Sequence, residues 1–88
     1  IIGPYDLSAS MGIPRQFDDP VFLECMETIR STARRMGVPS GIHLVEPDVA
    51  ALRQAVADGY SVIAYGVDFR FLDVTARLGV SAMRELLS

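Results

Sequence analysis

The chain of 88 residues contains no lysine and only one cysteine. Without lysine, it supplies neither the amine of a Schiff-base enzyme nor the lysine of a phosphate-binding P-loop. Cys25 has no partner for a disulfide within the chain, and there is no Cys-x-x-Cys motif. These absences favour a reducing, cytoplasmic setting.

Charge and hydropathy exclude further classes. The eight cationic side chains are all arginine, the formal net charge is −3 and no basic run is present, which argues against nucleic acid or an anionic membrane as partner. No apolar run approaches the roughly 20 residues that span a bilayer, and no signal peptide is evident. Hydrophobic residues make up 50% of this short chain, which indicates apolar surfaces that are covered by a partner or by the rest of a larger fold.

Three strand–helix units follow one another, each marked by a short apolar run and then by an apolar stripe with helical spacing. The predicted strands cover residues 1–2, 40–45 and 60–67. The predicted helices run from Asp19 to Gly37, from Glu46 to Gly59 and from Phe71 to Leu87, and a loop is expected from Gly3 to about Asp18. Aspartate and proline at helix starts, and glycine at helix ends, set these bounds.

Alternating strands and helices predict an α/β fold with a parallel sheet. Three parallel strands alone leave two unprotected edges. We therefore interpret residues 1–88 as the C-terminal three βα units of a TIM (β/α)₈ barrel, a fragment of one barrel domain, with a flavodoxin-like sheet as the alternative. Because the chain opens inside an apolar strand and without an initiator methionine, we expect it to be a C-terminal piece of a longer protein.

The first strand is followed by the most informative side chain, Asp6. In barrels of this kind the catalytic and ligand-binding side chains lie at the C-terminal ends of the strands, where the loops begin. Gly3 permits close backbone approach, and Pro4 has no N–H, so the donors for an anion are the amides of Tyr5 and Asp6, with that of Leu7 as a further candidate. A carboxylate beside free amides suits a hard cation and an anionic substrate. The alternative is an aspartate that caps its own loop through one of the two serines that follow it.

The ends of the other two predicted strands also carry polar side chains. His43, between apolar neighbours on the second strand, is either a packed histidine that is hydrogen-bonded to a nearby group or a substrate contact at the barrel mouth. Glu46 and Asp68 precede helices, and we predict that both act as caps rather than in catalysis. The alternative for Asp68 is a residue that shapes the site. Arg70, just past the third strand, is a weak candidate for attracting an anion.

Residues 3–12, Gly-Pro-Tyr-Asp-Leu-Ser-Ala-Ser-Met-Gly, resemble the HpcH/HpaI aldolase family, whose members carry Gly-Pro-x-Asp-Leu-Ser after the sixth barrel strand. Two shorter matches stand in the same order. Gly41-Ile42 corresponds to the family's Gly-Ile strand, and residues 64–68 correspond to its Val-Gly-Val-Asp segment. The resemblance covers essentially the whole chain.

The resemblance implies a metal-dependent carbon–carbon lyase in which a divalent ion (Mg²⁺, Mn²⁺ or Co²⁺) binds pyruvate and acts as a Lewis acid. Asp6 would be one of two carboxylate ligands of the metal, and the amides of Tyr5 and Asp6 would hold the pyruvate carboxylate. The implied substrate-binding residues are Gly3, Pro4, Tyr5, Asp6 and His43. Members commonly carry leucine at the position of His43 and a small residue at that of Tyr5. The family's other metal ligand, its arginine and its catalytic histidine belong to earlier strands, so no catalytic residue is assigned here and the isolated 88 residues are expected to be inactive.

Two alternatives stay open. One is a citrate-lyase-like carbon–carbon lyase that acts on a CoA thioester, and the other is a non-catalytic piece whose role is assembly. The expected partners are a 2-oxo acid and an aldehyde. Similar proteins exchange their last helix between subunits, which implies a homo-oligomer in which that helix lies on a neighbouring subunit. Its apolar face would consist of Phe71, Val74, Leu78 and Leu86.

Overall fold

The computed structural model describes all residues from Ile1 to Ser88. It contains helices α1 (Pro4–Ser10), α2 (Pro20–Arg35), α3 (Val49–Ala57) and α4 (Asp68–Leu87), and strands β1 (Gly41–Leu44) and β2 (Val62–Tyr65). The two strands run parallel, with Gly41 opposite Val62 and Leu44 opposite Tyr65. The predicted mixture of parallel strands and intervening helices is confirmed for these elements.

The predicted first strand is reduced to a single residue. Ile2 forms a parallel bridge to Ile42, on the edge of β1 that does not face β2. Its N–H donates to the carbonyl of Gly41 at 2.8 Å, and its carbonyl accepts from the N–H of His43 at 3.0 Å. The order is therefore Ile2, β1, β2, as expected of successive parallel strands, but three complete strand–helix units stay a prediction.

The segment after Ile2 is a helix, and the prediction of a turn and loop there was wrong. Gly3 is the N-cap of α1, and Pro4 occupies the first turn, where its missing N–H would have had no helical partner in any case. Asp6 also lies in this turn, where a negative charge complements the helix dipole. A Gly-Pro pair fits a turn and a helix start equally well, and here the helix forms.

The predicted bounds of α2 are confirmed. The Asp19 carboxylate accepts hydrogen bonds from the N–H groups of Val21 at 2.9 Å and Phe22 at 3.4 Å. Gly37 follows the C-cap with φ of +68°, the left-handed conformation that glycine adopts at low cost.

The predicted start of α3 was two residues too early. Asp48, rather than Glu46, is the N-cap, and its carboxylate accepts from the N–H of Ala50 at 2.9 Å. Pro47 therefore lies before the helix and not in its first turn.

The hydrophobic core lies between the sheet and the helices α2 and α3. Its six buried members are Ile2, Phe22, Met26, Ile42, Ala55 and Tyr60. Only 8 of the 88 residues are buried. Alternate residues on β2 stay exposed, with Val62 at 45%, so one face of the sheet is covered and the other is open.

The last helix projects from the rest of the chain. None of its residues is buried, and the molecule measures 56 × 27 × 19 Å. Its radius of gyration is 16.2 Å, against about 12 Å for a compact domain of this length. No helix combines the length and the apolar character that crossing a membrane would require.

Helix α4 begins three residues earlier than predicted, at Asp68. The N-cap is Val67, so Asp68 lies inside the first turn, where its carboxylate accepts from the N–H of Phe69 at 2.7 Å. The prediction that Asp68 caps the helix was therefore wrong by one position.

Candidate functional site

Asp6 is free to bind a ligand. It is exposed, and its carboxylate accepts no hydrogen bond from the rest of the chain. The hydroxyls of Ser8 and Ser10 donate instead to the carbonyls of Tyr5 and Leu7, at 3.1 and 2.9 Å. The alternative in which Asp6 caps its own segment through a serine is thus not what the structure shows.

Two backbone donors lie beside this carboxylate. The first amide of α1 with a backbone partner is that of Leu7, which donates to Gly3 at 2.8 Å. The amides of Tyr5 and Asp6 precede it and have no backbone acceptor, as is usual in a first helical turn. At Gly3, a Cβ atom would lie 3.0 Å from Oδ2 of Asp6, so glycine lets the carboxylate lie against the backbone.

Asp6 and Gly3 border a cleft of about 560 Å³. The cleft lies between the first three residues, α1 and the C-terminal half of α2, where Ile29 and Ala33 line it. Its walls are largely apolar, so Asp6 is the charged group that it presents.

The other predicted site residues line a second cavity, of about 300 Å³, at the C-terminal end of β1. Pro4, Tyr5 and His43 border it, together with Glu46 and core side chains. Nε2 of His43 lies 3.2 Å from the carbonyl oxygen of Gly66, where a ring N–H donates. The predicted residues therefore line two separate cavities: the cleft beside Asp6 extends to residues 39–41 at the start of β1, and the cavity beside His43 lies at the C-terminal end of that strand. His43 is hydrogen-bonded to a neighbouring group.

Ser8 is a structural residue that sequence reasoning missed. It is fully buried, its hydroxyl donates to the Tyr5 carbonyl, and its oxygen accepts from the N–H of Arg15 at 3.1 Å. Arg15 has φ of +62°, a left-handed conformation that is uncommon for residues other than glycine. The buried hydroxyl thus holds the loop after α1 against that helix. The only signal in the sequence was a serine two positions after Asp6, which we considered only as a partner through which Asp6 would cap its own loop.

Glu46 is an ion-pair partner and not a helix cap, so that prediction was wrong. Its carboxylate accepts two parallel hydrogen bonds from Arg70, each 2.9 Å long. Arg70 also donates to Asp73 at 2.6 Å, and Asp73 accepts from Arg77 at 2.9 Å. Hydrogen bonds from Arg77 and Arg70 hold the pKa of Asp73 below its ordinary value. Arg70 was a candidate for attracting an anion. In the structure it contacts two carboxylates of this chain, those of Glu46 and Asp73.

At this cleft the chain offers a single carboxylate, that of Asp6, rather than a complete metal site. No three histidine, cysteine, aspartate or glutamate side chains come close enough to hold a metal ion. Mg²⁺ and similar cations take about six oxygen ligands, often including water. Asp6 fits one such position, and a metal bound there would need further ligands from outside these 88 residues.

Comparison with known proteins gives relatives of one kind. No family model matches the chain. The protein of Escherichia coli (strain K12) named 2-keto-3-deoxy-L-rhamnonate aldolase is 40% identical over 67 residues, which are 76% of this chain and 24% of that protein. Proteins of the same name from other E. coli strains match equally. The chain therefore spans about a quarter of the length of the curated relatives that it matches.

Two solved structures share the fold. A HpcH/HpaI aldolase/citrate lyase family protein from Burkholderia cenocepacia J2315 superposes with a TM-score of 0.85 at 29% identity, over 93% of this chain and 31% of that one. The HpcH/HpaI aldolase from Desulfitobacterium hafniense DCB-2 gives 0.79 at 32% identity, over 94% of this chain and 32% of that one.

These matches place the chain in the class of TIM-barrel-type proteins, since it shares their α/β fold over nearly its whole length. Within that class the chain is related to the HpcH/HpaI aldolases. The resemblance predicted from residues 3–12 is confirmed.

Proposed function

We propose that this chain is the C-terminal part of a divalent-metal-dependent aldolase that forms or cleaves a carbon–carbon bond between pyruvate and an aldehyde. It would supply the last three strand–helix units of a single (β/α)₈ barrel. The observation that carries the proposal is Asp6, a carboxylate without a partner that lies beside free amides in the Gly-Pro-x-Asp-Leu-Ser motif. The relatives named as aldolases support the same class of reaction.

Asp6 would act as one ligand of the cation, which the resemblance implies to be Mg²⁺, Mn²⁺ or Co²⁺. A bound cation would polarise the oxygens of the 2-oxo acid as a Lewis acid. The free amides of Tyr5 and Asp6 would donate to the substrate carboxylate, and Gly3 would keep the backbone accessible to it.

His43, Pro4 and Tyr5 would contact the aldehyde part of the substrate. They border the cavity at the end of β1, whose other walls are mostly apolar. Since Nε2 of His43 already contacts the Gly66 carbonyl, Nδ1 is the ring atom left for a substrate. Tyr5 packs edge-on against Phe17 with 5.2 Å between ring centroids, so its ring would narrow the entrance.

Helix α4 is the element through which the subunits would assemble. We propose that the protein is a cytoplasmic homo-oligomer in which α4 lies on a neighbouring subunit. Leu78 and Leu86 on its predicted apolar face are 67% and 85% exposed, and Phe71 is 40% exposed. Most of the surface of Leu78 and Leu86 is left uncovered by the rest of the chain, and a second copy would cover it.

The test is a chimera in which this chain replaces the matching quarter of the E. coli relative. Pyruvate release from a 2-oxo acid is measured with and without divalent metal. Asp6→Asn is expected to lower turnover by orders of magnitude while circular dichroism stays unchanged, because the amide is a much poorer ligand for a hard cation than the carboxylate.

Asp18→Asn is the matched control, since Asp18 is an equally exposed aspartate on the neighbouring loop and makes no ion pair. Full turnover in Asp6→Asn would remove Asp6 from the metal site. The name of the Burkholderia protein includes citrate lyase, so an acyl-CoA substrate is assayed in parallel. Cleavage of the acyl-CoA substrate alone would favour the citrate-lyase-like alternative.

A further inference from the structure

One pair of charged side chains joins two segments that are 24 residues apart in the sequence. Glu46 lies on the loop between β1 and α3, and Arg70 lies in the first turn of α4. Nε of Arg70 is 2.9 and 3.1 Å from the two carboxylate oxygens, and Nη2 is 2.9 Å from the second. A guanidinium fork on a carboxylate fixes an angle as well as a distance.

Further contacts cross the same junction. The ring of Phe71 lies against Gly66, so close that there is no room for a side chain at that glycine. The carbonyl of Gly66 accepts from His43 on β1. The turn between β2 and α4 is therefore linked to β1 by the hydrogen bond from His43. The Glu46–Arg70 pair links the start of α4 to the 45–48 loop.

Glu46 also borders the cavity of about 300 Å³ that Tyr5 and His43 line. One carboxylate thus contacts both the candidate site and the base of the projecting helix. Ion pairs that are partly exposed, as this one is, contribute little to stability. The pair therefore acts mainly by holding the 45–48 loop and the first turn of α4 in a fixed relative position.

We propose that Arg70 is a positioning residue, which through Glu46 fixes the 45–48 loop at the cavity and the direction in which α4 leaves the chain. The cavity beside His43 keeps its shape only while α4 is held in that direction. A partner that binds the apolar side of α4 then acts on the cavity through the same pair. This goes beyond the aldolase activity proposed above, and it holds for any ligand of the cavity.

The test uses the only histidine of the chain as a probe. The Nε2 proton of His43 is followed by nuclear magnetic resonance in the 88-residue chain, with circular dichroism as a measure of helix content. Arg70→Met is expected to abolish the protected Nε2–H signal and to shift the ring resonances, while helix content stays the same. Arg77→Met, which removes only the outer pair with Asp73, is the control and is expected to leave the histidine unchanged.

A double-mutant cycle shows whether Arg70 acts through Glu46. Glu46→Gln alone is expected to give the same loss as Arg70→Met, and the two together no more than either one. An unchanged His43 signal in folded Arg70→Met, or additive effects of the two substitutions, would overturn the proposal. If Arg70→Met unfolds the chain, Glu46→Gln decides, because it leaves the Arg70–Asp73 contact in place: a lost signal supports the proposal and a retained one refutes it.

Discussion

Helices α2 and α4 are of similar length but are stabilised differently. On α2, the side chains of Phe22 and Met26 are 3% and 9% exposed, since they pack against the sheet. On α4, Leu72 and Leu86 are 73% and 85% exposed, and no residue is buried. Yet both helices carry an apolar stripe with helical spacing.

The contrast shows that α4 has the composition of a packed helix without the surface on which to pack. Its local support comes from Arg70, Asp73 and Arg77, which form ion pairs three and four residues apart. Such exposed pairs contribute little to the stability of a helix, and isolated helices are marginal in water. We therefore expect α4 to take its main stabilisation from a surface outside the 88 residues.

The largest expected effect is on self-association. The 88-residue chain is expected to sediment as an oligomer, and removal of residues 71–88 is expected to return it to a monomer. Leu78→Glu is expected to weaken the association, because it places a charge on the apolar face of α4, where Leu78 is 67% exposed. Sedimentation velocity over a range of concentrations measures the change.

Val56→Glu on α3 is the matched control, since Val56 is 62% exposed but lies on the part of the chain that packs on the sheet. It is expected to leave the association unchanged. A monodisperse monomer at all concentrations would contradict the assignment of α4 as an interface, and so would equal effects of the two substitutions.

The parts of the fold that the sequence predicted are those set by local chemistry. The limits of α2 follow from Asp19 and Pro20 at one end and Gly37 at the other. The two strands follow from apolar runs. Helix α1 was missed because Gly3-Pro4 fits a turn as well as a helix start, and only the fold selects between them.

The parts of the site that the sequence could not predict depend on distant contacts. The motif around Asp6 was recognisable because its residues are contiguous. The partner of Glu46 is 24 residues away, so the local pattern suggested a cap instead. Ser8 was missed for a similar reason, since its burial depends on how the following loop folds over α1.

An intermediate effect is expected on stability. Phe22→Ala is expected to lower the free energy of unfolding by about 3–5 kcal/mol, because it leaves a cavity under α2. Phe69→Ala is the matched change on α4, where the ring is 65% exposed; we expect a loss within about 0.5 kcal/mol. Urea denaturation of both variants at one protein concentration measures the difference. Comparable losses would mean that Phe69 is packed, and would remove the contrast between the two helices.

The smallest expected effect is on the acid stability of α4. The pKa of Asp73 is held below its ordinary value by hydrogen bonds from Arg77 and Arg70. A depressed folded pKa stabilises the helix at pH values above the unfolded pKa of about 3.9, and this contribution is lost as the pH falls through the folded pKa. Arg70 adds nothing in this range, since its pKa is raised and its contribution is lost only in strongly alkaline solution.

Circular dichroism of the chain should therefore show constant helix content from neutral pH to about pH 5 and a small loss below about pH 4. The loss should shrink in concentrated salt, which screens exposed pairs. Asp73→Asn should remove the Asp73 part of this acid dependence, since the amide does not titrate. An identical acid transition in that variant would assign the loss to other carboxylates, such as Asp68 and Glu85 on the same helix. The ion pairs of Asp73 would then contribute nothing to the stability of α4, and its dependence on an outside surface would be greater.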